Sequence, residues 1–488
     1  MHFSSIRREW SANPTREMLA GAVATFALIP EVIAFSFVAG VDPQVGLFAS
    51  FVIGIVIAFT GGRPAMISAA AGSVALVAAP LVHAHGLPYL LAAGLLAGVF
   101  QVAFGLLRLG VLMRFVSKSV RTGFVNALAI LIFAAQLPHI IGGDWLSYGM
   151  LAAGLAVIYL VPRITTAIPS PLICILVLTA ASISLHLPVT TVADLGKLPD
   201  SFPIFSWPIV PVTLETLKII AGPALAIAMV GMLESMMTAS VVDDLTGTSS
   251  SKNRECTGLG IANLAASLFG GIAGCGMIGQ TVSNVKYGGR GRLSTLFAGA
   301  FLLVLMVLLK PWVSQVPVAA LVSIMVMVSI DTFDWSSLRT VVVHPKMSSA
   351  VMVMTVLVTV FSANLALGVT VGVLLSGVFF TFKVARLLQV KTEIDDVRNE
   401  VKYRVSGQVF FASADIFIDA FDIEAAVGRA VIIDVSQAHF WDITAVAALD
   451  RVVKRFTVHN IPTEVLGLND ASATLIGSLE GPTRPREV

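Results

Sequence analysis

The stretch Gly270-Gly-Ile-Ala-Gly-Cys-Gly-Met-Ile-Gly-Gln-Thr-Val-Ser-Asn284 places five glycines within a strongly apolar region. That is too broken for an ordinary spanning helix. Irregular backbone at membrane depth is tolerated only where protein buries it or a wet cavity receives it. An earlier stretch, Ser68-Ala-Ala-Ala-Gly72-Ser73, has the same small-residue character. One reading of such runs is close helix packing. The other is that two interruptions in corresponding halves of a membrane chain mark a substrate site.

Composition places these breaks in a membrane. Of 488 residues, 56% are hydrophobic and 12% charged, against about 25% charged in soluble domains. Charge is also unevenly spread, because residues 389–488 hold 25 of the 60 charged side chains. A soluble domain therefore follows a polytopic α-helical membrane domain. A net charge of +2 says little about partners, and no nucleic-acid partner is expected. Cys174, Cys256 and Cys275 all sit in apolar surroundings and lack metal-ligand spacing. No Gly-Lys-Ser/Thr phosphate loop and no nucleophile–base constellation is present. These patterns argue against an ATP-driven pump and an enzyme, and they call for no cofactor or metal.

Spans of about 20 apolar residues, fewer where interrupted, fall near 18–38, 43–60, 66–85, 88–107, 119–141, 145–161 and 170–186. A more polar connection, 187–211, precedes a second set near 214–241, 256–271, 275–288, 293–313, 315–332, 348–363 and 365–384. Fourteen spans put both termini on one side. Arg7, Arg8 and Arg16 in the polar segment 1–17, with Lys383, Arg386 and Lys391 beyond the last span, assign that side to the cytoplasm. No cleavage pattern follows the first span, so it reads as a membrane helix and not a removed signal peptide. Two sets of seven imply inverted repeats, about 18–186 and 214–384, within a membrane domain 18–388. Gly72 follows Glu31 by 41 residues and Gly276 follows Glu234 by 42. Spans one and eight then supply acids, while spans three and ten are broken.

A carboxylate within a span costs about 2.5–3.5 kcal/mol on insertion scales and is a functional candidate by default. Glu31 follows Pro30, which weakens the helix ladder; it is a candidate for a coupled proton or for capping freed backbone donors. Glu234 reads equally as a coupling acid or as a helix–helix hydrogen bond. Half-helices starting near Gly72 and Gly276 would present unpaired N–H groups and the positive ends of their dipoles, an arrangement suited to an anion. Gly72, Ser73, Val74, Gly276, Met277, Ile278, Gly279 and Gln280 are the substrate-binding candidates, with Ser73, Gln280, Thr281 and Ser283 offering side-chain donors. Arg108, Arg114, Lys118 and Arg121 read as an interfacial cluster that sets topology. Lys286, Arg290 and Arg292 read as topological or as a vestibule that attracts anions. His83 and His85 fall near an interface.

Beyond Phe382 the pattern changes to strands at 401–411, 430–435 and 464–468, alternating with helices at 414–427 and 442–458. That is a small α/β domain, 389–480, with a largely parallel sheet. The tail 481–488 is expected to be disordered.

The residues also resemble a known family, the sulfate permease family of anion transporters that end in a STAS domain. Pro30-Glu31, Ala34, Ala39-Gly40, Pro43 and Gly46-Leu47 are similar to its first-span signature. Leu233-Glu234-Ser235, Asn253-Arg-Glu255, Gly260, Ala262-Asn263 and Phe269-Gly270-Gly271 resemble its eighth- and ninth-span pattern. Gly276 through Thr281, Asn284 and Gly288-Gly289-Arg290 resemble its tenth-span motif. Val431-Ile-Ile-Asp434-Val-Ser436 and Phe440-Trp-Asp442-Ile443-Thr444 look like the STAS strand and following loop.

The resemblance implies inverted seven-span repeats forming core and gate domains, with spans three and ten each opening on a short strand. It implies secondary active anion transport by an elevator-like or rocking movement, usually as a homodimer, with a cytoplasmic STAS domain; the expected location is a cytoplasmic (inner) membrane. Three departures matter. Glu31 stands where the family typically has glutamine, Gln280 where many members are basic, and Gly72-Ser73 where the family has Gly-Pro. The site has thus lost a positive charge and gained an acid. Either Glu31 carries a proton when the anion binds, giving symport, or it ligates Na⁺; removing a carboxylate from water disfavours its charge and favours the proton. Sulfate, bicarbonate and carboxylates or dicarboxylates are all compatible substrates, and an uncoupled channel or exchanger, or a membrane-anchored STAS scaffold, are the competing functions. Ile443 at a position often Ser or Thr, with Thr444 beside it, favours a structural or partner-docking STAS domain over a phosphoregulated one.

Overall fold

The computed structural model describes residues 9–10, 13–110, 116–141, 143–164, 169–343 and 346–468. Arg7, Arg8, Arg114, the expected tail 481–488 and the last part of the expected soluble domain, 469–480, lie outside the described residues. By internal contacts the chain divides into two compact units, Met1–Val373 and Leu374–Val488.

The first unit is helical. Its first half holds α1 (Pro14–Val38), α2 (Pro43–Thr60), a two-residue strand β1 (Ser68–Ala69), α3 (Gly72–His85), α4 (Leu87–Leu106), α5 (Lys118–Ile140), α6 (Trp145–Leu160) and α7 (Ser170–Ser184). The second holds α8 (Leu214–Thr246), α9 (Lys252–Leu268), β2 (Cys275–Gly276), α10 (Ile278–Lys286), α11 (Arg292–Val313), α12 (Val318–Thr332), α13 (Ser336–Val343), α14 (Lys346–Ser362) and α15 (Leu365–Ala385), the last crossing into the second unit. Among the described residues, nine helices are long and apolar enough to cross a membrane, and three shorter ones are apolar. Each expected span coincides with a helix. The helix α13 was not expected, because its eight residues are too few and too polar to read as a span.

Helix starts follow local chemistry. Asn13 accepts from the Arg16 amide ahead of Pro14, a side-chain cap followed by proline at the first helical position. The helix α1 then continues through Pro30 without a break. Glu17, buried, accepts from the backbone amides of Arg290 (2.7 Å), Gly291 (2.9 Å) and Ser294 (3.2 Å), satisfying donors at the start of α11.

The two broken stretches meet. Strands β1 and β2 pair antiparallel, with Ser68 opposite Gly276 and Ala69 opposite Cys275. So short a ladder leaves many backbone groups to satisfy, and small polar side chains on surrounding helices do so. Ser50 accepts from the Ala70 amide and Thr281 from the Ile67 amide, while Thr295 donates to Met66 O and Asn284 to Ala65 O. On the other strand Asn263 both donates to and accepts from the Gly274 backbone, Ser235 accepts from the Gly276 amide, and Thr238 donates to Gly276 O. Gly270, just beyond α9, has φ +74°, a left-handed backbone that suits glycine.

The second unit contains a four-stranded sheet in the order β3 (Gln389–Asp395), β4 (Glu400–Val409), β5 (Ala430–Phe440) and β6 (Thr463–Leu466). Pairs β4–β5 and β5–β6 are parallel and β3–β4 is antiparallel. The sequence did not announce β3, because nearly all its residues are exposed and no apolar face alternates. Helix α16 (Ala414–Asp419) is shorter than the expected 414–427. The fully buried Tyr403 donates its hydroxyl to Asp422 O (2.7 Å), which draws the chain inward at that point. Helix α17 (Ile443–Val458) is capped by Asp442, which accepts from the Ala445 amide (2.8 Å). Its Leu449, Val452 and Phe456 pack with Val401, Tyr403, Val405, Val431, Ile433 and Val435 of the sheet in one core.

Candidate functional site

Both broken spans begin their helices on one cavity. Helix α3 starts at Gly72 with Ala71 as N-cap, and α10 starts at Ile278 with Met277 as N-cap; neither cap residue offers a side-chain hydrogen bond. The first amides of each helix have no intrahelical acceptor. A cavity of about 440 Å³ is lined by Ala71, Gly72 and Ser73 from one helix start and by Met277, Ile278, Gly279 and Gln280 from the other. Glu31 of α1, Glu234 and Met237 of α8, Phe124 and Leu128 of α5, and Met327 and Asp331 of α12 complete much of the wall.

Eight of the ten residues singled out from sequence line this cavity: Glu31, Gly72, Ser73, Glu234, Met277, Ile278, Gly279 and Gln280. Val74 is buried outside the lining, and Gly276 belongs to β2, its amide on Ser235 (2.9 Å). Thr281 is turned to the Ile67 backbone and is outside the lining, as is Ser283. Sequence reading missed Asp331, which lies at the end of the expected span 315–332, where a charge costs little and gives no signal.

Glu234 is 9% exposed. One of its carboxylate oxygens, Oε2, accepts from the Ser73 hydroxyl and from the Cys275 thiol (3.1 Å). The acid thereby ties α8 to the start of α3 and to β2. Glu31 and Gln280 line the cavity together, and Gln280 is 2% exposed. The lining contains three carboxylates and no lysine, arginine or histidine. Among the described residues none of these carboxylates enters an ion pair. No group of three His, Cys, Asp or Glu side chains among the described residues is arranged to hold a metal ion.

The basic residues near α10 are engaged elsewhere. Arg292 pairs with Glu9 (2.7 Å) and donates to Ala58 O, while the Arg290 guanidinium donates to Val285 O and Gly289 O. Neither these nor Lys286 lines the cavity. Another buried acid, Glu255, accepts from the amides of Gly62 (2.6 Å) and Arg63 (2.9 Å) and fixes the approach to β1. His83 and His85 are exposed in the last turn of α3.

Residues 15–150 and 144–355 match the sulfate permease family, and residues 389–479 match the STAS domain. The chain belongs to the sulfate permease family. It is 50% identical over 472 residues to the putative sulfate transporter YbaR of Bacillus subtilis, which covers 97% of this chain and 98% of that one. It is 27% identical over 509 residues to the bicarbonate transporter BicA of a Picosynechococcus strain, covering 93% of this chain and 87% of the relative. Among solved structures, the transmembrane domain of a cyanobacterial BicA superposes with TM-score 0.67 at 26% identity, over 75% of this chain and 98% of that one. The murine Slc26a9 anion transporter, in an inward-facing state, gives TM-score 0.83 at 18% identity over 98% and 91% of the two chains, a likeness of fold. This member of the sulfate permease family is a multi-pass membrane anion transporter with a C-terminal STAS domain, and not an enzyme.

Proposed function

We propose that the protein is a proton-coupled secondary transporter that carries a small anion in symport through the cavity between α3 and α10. The observation that carries this reading is the charge of the lining: two uncapped helix starts face three carboxylates and no cationic side chain. Backbone amides and helix dipoles favour an anion at Gly72–Ser73 and Ile278–Gln280. Ionised acids in the same space oppose it, and a proton on Glu31 removes one of these opposing charges. Gln280, beside Glu31, then contributes an amide donor where a fixed positive charge would bind the anion without need of a proton. Glu234, held by Ser73 and Cys275, keeps the two helix starts in place. In this reading fourteen spans form two inverted repeats, both termini are cytoplasmic, and alternating access moves α1, α3, α8 and α10 against α5 and α12.

The substrate class is a small inorganic anion or a carboxylate. The YbaR relative is a putative sulfate transporter and the BicA relative a bicarbonate transporter, so sulfate and bicarbonate head the panel, followed by dicarboxylates. Purified protein in proteoliposomes tests the reading. Uptake of labelled sulfate, bicarbonate or fumarate is measured with an inward proton gradient, with that gradient collapsed by a protonophore, and with a Na⁺ gradient alone. Accumulation that follows the proton gradient supports symport. Accumulation driven by Na⁺ alone assigns the coupling to a cation, and large currents without accumulation make the protein a channel.

A further inference from the structure

Of the three cavity carboxylates, Asp331 carries neither the coupled proton nor a hydrogen bond to a helix start, and its position is unusual for an anion pathway. It is an exposed side chain one residue before the end of α12, and it lines the same cavity as the more buried Glu31. A carboxylate at the entrance to an anion site repels the substrate, and among the described residues no cation pairs with this one. Helix α12 packs against α1, α5, α6 and α7. From those helices Glu31 and Tyr159 interact electrostatically with Asp331. Lys118 and Arg121, in the first turn of α5, make no ion pair with it, and Asp334 is taken up by the amide and hydroxyl of Ser336. The wall of α5 facing the cavity is apolar: Phe124, Val125, Leu128 and Ile132.

We propose that Asp331 is the proton-collecting residue of the cavity, taking a proton at the mouth and passing it to Glu31. The inference rests on the proton-coupled reading above. The exchange is balanced within the pair: Asp331 takes a proton from solvent, gives it through cavity water to the Glu31 carboxylate, and returns to its ionised form. A volume of about 440 Å³ admits a chain of waters, each occupying about 30 Å³. Two carboxylates in one cavity repel when both are ionised, which makes Glu31 the better acceptor while Asp331 is charged. The two acids stand on helices, α1 and α12, that lie on opposite sides of the proposed movement. Proton transfer between them is therefore open only while the cavity is open at this mouth.

The test is the pH profile of initial uptake by the full chain in proteoliposomes, with labelled sulfate as probe, or labelled fumarate if wild type does not carry sulfate. Asp331→Asn, Asp331→Glu and Glu31→Gln are compared with wild type. Asp331→Asn is expected to slow uptake and move its pH dependence to lower pH, with the anion KM at low pH unchanged, and Asp331→Glu is expected to restore the profile. An unchanged profile in Asp331→Asn overturns the inference, as does an equal loss at every pH that Asp331→Glu does not repair. If Asp331→Asn does not transport, infrared difference spectra of the purified variant follow the protonated-carboxyl band of Glu31 against pH. A titration identical to wild type then overturns the proposal, and an acid-shifted one supports it. Glu31→Gln separates the two layers. If it removes the pH dependence while Asp331→Asn does not, only the relay fails; if it leaves the pH dependence intact, the proton-coupled reading fails with it.

Discussion

At the scale of single residues, Glu234 is the best-held acid in the cavity. Two donors, the Ser73 hydroxyl and the Cys275 thiol, converge on one carboxylate oxygen. Glu234→Ala removes this shared acceptor and leaves the two donors only their long 3.8 Å contact with each other, and a buried group left unsatisfied costs about 1–3 kcal/mol. Thermal unfolding in detergent should therefore show a lower melting temperature for Glu234→Ala than for Glu234→Gln, which keeps an acceptor. Equal melting temperatures would mean that the pair of bonds does not support the fold. Gly72 is constrained by contact. A Cβ there would lie 2.7 Å from the Phe35 ring, which itself lines the cavity. Overpacking of this kind costs about 1–3 kcal/mol, so Gly72→Ala should displace Phe35 and lower transport in folded protein. Adding Phe35→Leu should recover part of it; an unimpaired Gly72→Ala would show that the ring is free to move. The acids Glu31 and Glu234 were legible in the sequence because a charge within an apolar run is costly. Asp331 was not, because the same charge at a helix end is cheap. Ser50, Thr281 and Thr295 were equally silent as supports for the broken strands, since a hydroxyl in a span usually bonds its own helix four residues back, as Ser50 also does with Gly46.

At the scale of elements, the site depends on holding two short strands where neither could persist alone. Asn263 of α9 is the strongest single support for β2. It exchanges bonds with the Gly274 amide (2.9 Å) and carbonyl (3.1 Å), and donates to Gln101 Oε1 (2.8 Å). Asn263→Ala should lower stability by about 1–3 kcal/mol and reduce anion binding, since α10 starts two residues beyond β2. Calorimetry and equilibrium binding of the transported anion check both parts, and loss of stability with unchanged binding would contradict the coupling of strand to helix start. The glycines made the breaks at 68–73 and 270–284 readable. Their antiparallel pairing was not readable from residue pattern alone, because strands of two residues carry no periodicity. Length and hydropathy likewise revealed the spans but not α13. In the second unit the residue pattern disclosed β4 and, through its apolar run Ala430–Val435, β5, while the exposed, charged β3 offered no apolar face to read.

At the scale of the whole molecule, the two units answer to different solvents. The second carries an acid-sensitive contact: Ser436 and then Lys402 (3.0 Å) hold the Asp434 carboxyl down to about 2. An unfolded aspartate titrates near 3.9, so ionised Asp434 stabilises this unit above about pH 4, and the contribution is lost as the pH falls through about 2. Calorimetry of the full chain should show the transition of this unit falling across that window, with a smaller fall in Asp434→Asn; an identical acid dependence in the variant would contradict the assignment. The change of composition near residue 389 made the second unit visible in the sequence, and the family match followed from motifs spread over both. What motifs left open is the sign of charge around the anion, which depends on three acids brought together from α1, α8 and α12. The central claim is that one of them, Glu31, carries the coupled proton. Its most direct test is accumulation of the labelled anion in proteoliposomes under an inward proton gradient, comparing wild type with Glu31→Gln. The account predicts that wild type accumulates the anion above equilibrium and that Glu31→Gln only exchanges it; accumulation by Glu31→Gln equal to that of wild type would contradict it.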